Sequence, residues 1–178
     1  LVERLSHWDF SKRKQAVELL SRIGGPAIPS LIQAFGSDAY SVREGALDAL
    51  LKINNVEASV SLLVSGLNNQ NQDIRWRSAM ALAQMPHQQA LEPLTKRIND
   101  PSAKVRKAVA QALGFYTEEF NTSQAIDSLM RHLQDQDVFV RKAVVVSLGR
   151  LAVTPQLQSL IASGLIQGLE DPDWQVRA

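Results

Sequence analysis

The sequence predicts an all-α fold of the α-solenoid type, and three observations carry that expectation. Arginine recurs as Arg13, Arg43, Arg75, Arg106, Arg141 and Arg177, at steps of 30, 32, 31, 35 and 36 residues. Two hydrophobic columns keep register ahead of it: a leucine twelve residues before, from Leu1 and Leu31 to Leu165, and eight before it Leu5, Phe35, Leu67, Ile98, Leu133 or Leu169. A third column, Leu20, Leu50, Leu82, Leu113 and Leu148, follows seven residues after the arginine. A period of this length marks a helical repeat, in which each unit buries its apolar face only against its neighbours.

The stretch Asp100 to Gly114, DPSAKVRKAVAQALG, shows how one unit is written. Asp100 reads as an N-cap and Pro101 as the first helical residue, where no backbone N–H is needed. Val105, Val109, Ala112 and Leu113 recur at helical spacing, and Gly114 loosens the helix near its end. From the start of the chain, Leu1 to His7 reads as the tail of a first outer helix. Its partner is expected at about 10–23, capped by Asp9 or Ser11 and ended by Gly24-Gly25-Pro26. Lys12 stands where Val42, Ile74, Val105, Val140 and Val176 stand elsewhere, which suits a more exposed first repeat.

The second repeat pairs about 27–35 with about 40–53 across GSDAY, and Pro29 falls in a first turn. The third pairs about 57–68 with about 72–85 across NNQNQ, before Pro86 stops it. The fourth pairs about 89–98, with Pro93 near its start, with the stretch at 100–114. A longer connection, FYTEEFNTS, explains the 35-residue step. The fifth repeat pairs about 123–134 with about 137–152. A further connection through Val153, Thr154 and Pro155 leads to a helix at about 156–169. Asp171 and Pro172 then repeat the pattern of Asp100 and Pro101. The total is eleven to twelve helices and no strand.

Composition narrows the function classes. Hydrophobic residues are 45% of the 178, but aromatics only 6%, so the seam is built of Leu, Ile, Val and Ala. Without cysteine the chain has neither disulfides nor thiolate metal sites, which is compatible with a cytoplasmic location. No apolar run reaches membrane-spanning length, and no signal-peptide pattern opens the chain. Net charge is +1, from 19 basic and 18 acidic residues that mix along the sequence. That balance argues against nucleic acid and for a protein or peptide partner. The chain begins inside one repeat and stops one residue after the arginine of another. It is therefore expected to be a single array over 1–178, cut from a longer one.

Units reading L-x3-L, then D-P or D-x, then V-R-x2-A-x2-A-L, resemble HEAT repeats. The likeness is carried by LTKRINDPSAKVRKAVAQALG, LMRHLQDQDVFVRKAVVVSLG and LIQGLEDPDWQVRA, and is strongest to the short HEAT-like subtype of phycobilisome lyases. The resemblance implies about six helix pairs, the first and last incomplete, in a right-handed superhelix of the armadillo type. Second helices would line its concave side, and the repeated Asp and Arg would bond along the array. The third repeat departs from the pattern, with Asn69 and Asn71 where others carry Asp, which puts an Asp–Arg ladder in question there.

Catalytic and cofactor chemistry is not written in the chain. His7, His87 and His132 are far apart and lack ligand spacing, so no metal or cofactor is expected. There is no phosphate loop or nucleophile pattern. Paired acids such as Asp135 with Asp137, or Asp171 with Asp173, stand at helix starts and read as caps. Glu118-Glu119 reads as a solvated turn. The repeated arginine could be an anion site, but it keeps step with the packing residues and reads as structural.

One column stands apart. On the second helices the buried face holds the positions one before, three, seven and ten after the arginine, so those one and five after it point outward. These outward pairs are Lys14 and Glu18, Glu44 and Asp48, Trp76 and Met80, Lys107 and Gln111, and Lys142 and Val146. Trp76 and Met80 break a polar series, with Val146 a smaller apolar point, as a binding surface does. The other reading is a third repeat rotated in register, with Arg77 taking the motif role and Trp76 covering the seam. The acids at Glu44 and Asp48 and the bases at Lys107 and Lys142 favour a partner of opposite charge order. The leading expectation is a non-catalytic scaffold that binds a protein or peptide on its concave face. The alternative is a phycobilin lyase-like subunit acting on a phycobiliprotein. A third reading is nucleic-acid binding through Lys107, Lys142 and Arg150.

Overall fold

The computed structural model describes residues 1–116, 120, 122–152 and 155–177. Eleven α-helices are found among them: α1 (Phe10–Ile23), α2 (Ile28–Ala34), α3 (Tyr40–Leu51), α4 (Val56–Gly66), α5 (Gln72–Gln84), α6 (Gln88–Arg97), α7 (Ala103–Leu113), α8 (Ser123–Arg131), α9 (Val138–Leu151), α10 (Pro155–Leu169) and α11 (Trp174–Arg177). Short 3-10 turns at Val2–Ser6 and Gly25–Ala27 complete the set, and the described residues hold no strand. The fold is an all-α solenoid of helix pairs. None of the described helices is long and apolar enough to cross a membrane. The expected Glu118-Glu119 turn and the Val153-Thr154 part of the second long connection lie outside the described residues.

Two compact units make up the chain, Leu1–Ala81 and Leu82–Ala178. In the first, α1 packs on α3 and α2 on both α3 and α4. In the second, α7, α9 and α11 pack in succession, and α6, α8 and α10 form the accompanying row. The sequence columns are the core. Leu31, Leu63, Leu94 and Leu129 are fully buried, as are Leu50, Leu82, Leu113 and Leu148, while Leu1 and Leu169 are exposed. Tyr116, ten residues after Arg106, is also fully buried and anchors the start of the FYTEEFNTS connection by bonding His87 through its hydroxyl. Each buried leucine removes enough apolar surface to contribute about 2 kcal/mol.

The repeated arginine closes each connection. Its Nη1 donates to the carbonyls six and five residues upstream: Arg13 to His7 and Trp8, Arg43 to Ser37 and Asp38, Arg75 to Asn69 and Gln70, Arg106 to Asp100 and Pro101, Arg177 to Asp171 and Pro172. Arg141 reaches the Asp135 carbonyl in the same way. These carbonyls would otherwise be unpaired beside a packed seam.

The connection also corrects the expected start of the fourth second helix. Asp100 is not its N-cap, and Pro101 is not its first residue: Ser102 is the extended cap residue and the helix begins at Ala103. Asp100 instead accepts from the Ser102 N–H at 2.9 Å, fixing the turn two residues earlier. Asp171 repeats this with Asp173 at 2.8 Å, so Asp171 and Pro172 also precede their helix. Asn69 makes the same bond to the Asn71 N–H at 2.8 Å.

A carboxylate at this place does more in the second unit. Asp135 takes a two-pronged bond from Arg106, Nε to Oδ2 at 2.7 Å and Nη2 to Oδ1 at 2.8 Å. Asp171 takes the same fork from Arg141, at 2.7 and 3.1 Å. In the first unit no described carboxylate meets Arg13 or Arg43, because Ser37 and Asn69 stand at the equivalent places. Asparagine preserves the turn and loses the charge.

Gly114 was expected to loosen the end of its helix, but its φ of −67° is ordinary. Its role is space. A Cβ there would lie 2.7 Å from the Ser147 side chain and 2.9 Å from the Ser147 Cα, so only glycine lets α9 approach.

Two predictions follow from this packing. Gly114→Ala is expected to lower unfolding free energy by about 1–3 kcal/mol, because backbone rather than a flexible side-chain end opposes the new methyl. Gly149→Ala on α9 meets nothing within 4 Å, and should be neutral or raise stability by up to about 1 kcal/mol. Chemical denaturation of the two variants decides it, and equal shifts would refute the close approach.

The second concerns acid. Burial would raise the Asp135 carboxyl, but the Arg106 fork and the Asp137 N–H outweigh it and hold it below its ordinary value. The Arg141 fork lowers Asp171 in the same direction. A carboxyl lowered by folding contributes its full stability above the unfolded pKa of about 3.9 and loses it as pH falls through the folded value. Thermal stability should therefore drop below about pH 4. Asp135→Asn should cost about 3 kcal/mol at pH 7, by leaving Arg106 buried without its partner, and should flatten the acid limb. An unchanged pH profile in that variant would count against the fork.

Candidate functional site

The outward column is where the helical period placed it. On the second helices, Val42, Ile74, Val105 and Val140, one before the arginine, are buried, as are Ala16, Ala46, Ser78, Val109 and Val144 three after it. On the opposite side Lys14, Asp48, Gln111, Lys142 and Val146 are exposed, and Glu18, Glu44, Trp76, Met80 and Lys107 are half-buried.

In the second unit four of these residues come together. Lys107 and Gln111 of α7, Lys142 and Val146 of α9, and Trp174 and Gln175 of α11 line a groove of about 380 Å³, joined by Phe139, Ala143 and Arg150. Two of its cations rest on aromatic faces: Lys107 Nζ lies 5.5 Å from the centre of the Phe139 ring, and the Arg150 guanidinium 4.7 Å from that of Phe115. No acidic residue lines the groove, and no described carboxylate pairs with Lys107, Lys142 or Arg150.

In the first unit Glu44 and Asp48 of α3 line a groove of about 360 Å³ with Lys14 and Val17 of α1, beside the exposed rings of Phe10 and Tyr40. Its charges are mixed. Lys52 on its rim already bonds Glu18 at 2.6 Å. Trp76 and Met80 line neither groove.

Trp76 has a role the sequence did not suggest. Arg75 holds the Asn69 and Gln70 carbonyls like every other motif arginine, so the third repeat is not rotated in register. Arg77 is an added buried arginine, 3% exposed, on a helix position held by Gly45, Ala108 and Ala143 in other repeats. Its Nη1 donates to Glu44 at 2.8 Å, its guanidinium lies 4.7 Å from the centre of the Trp76 ring, and its Nε finds no partner. Glu44, expected as a free acidic point, is thus bonded inward to Arg77. Trp76 screens a buried charge as well as presenting a half-buried ring.

The exposed aromatics Phe10, Tyr40, Phe139 and Trp174 escaped the sequence reading. They stand three or two residues before the arginine, in the first turn of a second helix. They lie outside the positions one and five after the arginine, and the signal that marks them is aromatic residues recurring just before it.

The histidines act locally. His7 Nδ1 accepts from the Asp9 N–H at 3.0 Å, His87 Nδ1 from the Gln89 N–H at 3.3 Å, and His132 Nδ1 lies 2.8 Å from the Ser128 carbonyl. Among the described residues no cluster of three or more His, Cys, Asp or Glu side chains could hold a metal ion.

The Trp76–Arg77 stack is testable by a double-mutant cycle. Trp76→Ala in the native chain should lose about 1–2 kcal/mol more stability than the same change beside Arg77→Met. Zero coupling would show that the ring contributes nothing to Arg77.

A family model described as HEAT repeats matches residues 1–75 and 60–149. Among solved structures, the complex of CpcE and CpcF of phycocyanin lyase from Nostoc sp. PCC7120 is similar at 28% identity and a TM-score of 0.76, covering 85% of this chain and 94% of that one. An engineered protein is 22% identical with a TM-score of 0.60, over 99% of this chain and 92% of that one. A designed armadillo repeat protein in complex with the peptide (KR)4 is 20% identical with a TM-score of 0.59, over 99% and 93%. These two likenesses concern the fold alone. No curated protein matches the chain.

Proposed function

Because this chain belongs to the HEAT-repeat family, we propose that it is a non-catalytic scaffold that docks a protein or peptide on the outward face of its second helices. The observation that carries this reading is the coincidence of the outward column with the grooves. The positions one and five after the arginine supply Lys107, Gln111, Lys142 and Val146 to one groove, and Lys14, Glu44 and Asp48 to the other. Exposed aromatic rings border both, and such rings are the usual anchors of interfaces. In the first unit, Trp76 and Met80 on α5 add outward apolar surface to its docking residues. We further propose that residues 1–178 act as one array.

A second reading rests on the similarity to the phycocyanin lyase complex, which covers nearly all of the solved chain. On that reading the protein is a lyase-like subunit acting on a phycobiliprotein together with a second subunit. The two readings share the docking face and differ in whether bilin is handled.

Photo-crosslinking separates them. A benzophenone side chain at Gln111 or Val146, on the second helices, is expected to capture one partner in stoichiometric yield. The same group at Gln124 or Gln167, exposed on α8 and α10, should capture little. Capture from α8 and α10 alone, or from neither face, would overturn the scaffold reading. A red-shifted visible absorption on mixing with phycobilin and a phycobiliprotein would favour the lyase-like reading, and an unchanged spectrum the plain scaffold.

A further inference from the structure

The groove of the second unit has a one-sided chemistry, and we infer that it takes an acidic protein segment carrying aromatic or other apolar side chains. This rests on the scaffold reading and names the partner chemistry of one of its sites. Lys107, Lys142 and Arg150 bring three cations to a single groove that no acid lines. Such a concentration of positive charge, with no described carboxylate paired to it, is unusual in a chain whose 19 basic and 18 acidic residues nearly cancel. Ion pairs among the described residues of the second unit lie elsewhere, as on the Arg106–Asp135 and Arg141–Asp171 forks and the Arg97–Asp100 and Lys96–Glu92 pairs. Among the described residues, a partner carboxylate would therefore displace no ion pair at this groove.

The cations are also held in place. Lys107 and Arg150 each lie against an aromatic face, which restricts their side chains before any ligand arrives and lowers the entropy lost on binding. The rings remain available: Phe139 is 52% and Trp174 66% exposed. With Val146 they form apolar surface between the charges, a match for a segment in which acids alternate with apolar residues. The amides of Gln111 and Gln175 each offer a donor and an acceptor, which a peptide backbone can satisfy and a phosphate chain cannot. Three cations in one groove also fall short of the basic stripe that tracks a nucleic-acid backbone.

The first unit sharpens the contrast. Its groove carries Glu44 and Asp48 beside Lys14, and its Lys52 is bonded to Glu18. An acidic segment has no reason to prefer it.

The test uses the whole chain and three labelled probes read by fluorescence anisotropy. One is a peptide repeating Glu-Asp-Phe, one the same peptide with lysine at each acid, and one an oligo-uridylate. The acidic peptide is expected to bind at low salt, weaken as salt rises, and bind at least about tenfold tighter than the lysine peptide. Lys142→Glu with Arg150→Glu should remove that preference, and Trp174→Ala should weaken the acidic peptide about tenfold. Lys142→Gln with Arg150→Gln is the second variant, should charge reversal disturb folding. The inference is overturned if the acidic peptide does not bind, if neither charge variant weakens it, or if the RNA binds more tightly. A partner crosslinked at Gln111 equally well with and without the charge reversal would also overturn it, while leaving the scaffold reading intact. Absence of any crosslinked partner would remove the scaffold reading, and the peptide affinities would still decide the chemistry of the groove.

Discussion

An arginine that bonds the carbonyls five and six residues before it turns each interhelix connection into a closed ring. Five repeats carry both bonds, from Arg13 to Arg177, and Arg141 holds the carbonyl six residues before it. Its geometry explains why the arginine keeps step with the leucines: the guanidinium satisfies the last polar groups of the connection while the valine or isoleucine before it enters the seam. Helices this short would be marginal alone, and packing along one apolar face is what sustains them. The ring sets where that face begins. The second unit adds a carboxylate to the outer edge of the guanidinium, so one residue organises its own connection and grips the next.

The fold was legible because its signals repeat. Periodic leucines, the arginine and the turn residues locate nearly every helix to within a few residues, and the face opposite the seam follows from the helical angle alone. Helix starts were less legible. Asp-Pro looks like a cap and a first residue, yet the aspartate bonds the N–H two residues on and delays the helix to Ala103. Arg77 was read as a rival for the motif role, and its burial under Trp76 depends on contacts with α3 that no local pattern announces. The candidate site was half legible. Its lysines sit in the outward column and Arg150 one turn beyond it, whereas its aromatic members sit one turn earlier, and only the packing of α7, α9 and α11 brings them into one groove.

The same division of labour runs through both units. Positions facing the seam are nearly uniform, and positions facing out vary in charge, size and aromatic content. The motif residues are spent on the fold, so the proposed docking role falls to the outward residues. The buried hydroxyls of Ser78 and Ser147, which find no partner among the described residues, stand where Gly66 and Gly114 allow close helix approach.

The contrast between Asn69 and the aspartates of the later connections bears on how such a chain can change over generations. A ring closed wholly within one connection travels with its repeat, so a copy can be inserted or lost without orphaning a guanidinium. The Arg106–Asp135 and Arg141–Asp171 forks bind two successive repeats into a matched pair. Splicing between them separates a buried arginine from its acid, and splicing beside Asn69 would likewise part the buried Arg77 from Glu44, whereas beside the neutral Ser37 no described carboxylate meets the motif arginine Arg13. The repeats on either side of Ser37 are thus the more tolerant of duplication and exchange, while repeats joined by a buried arginine and its acid are inherited together.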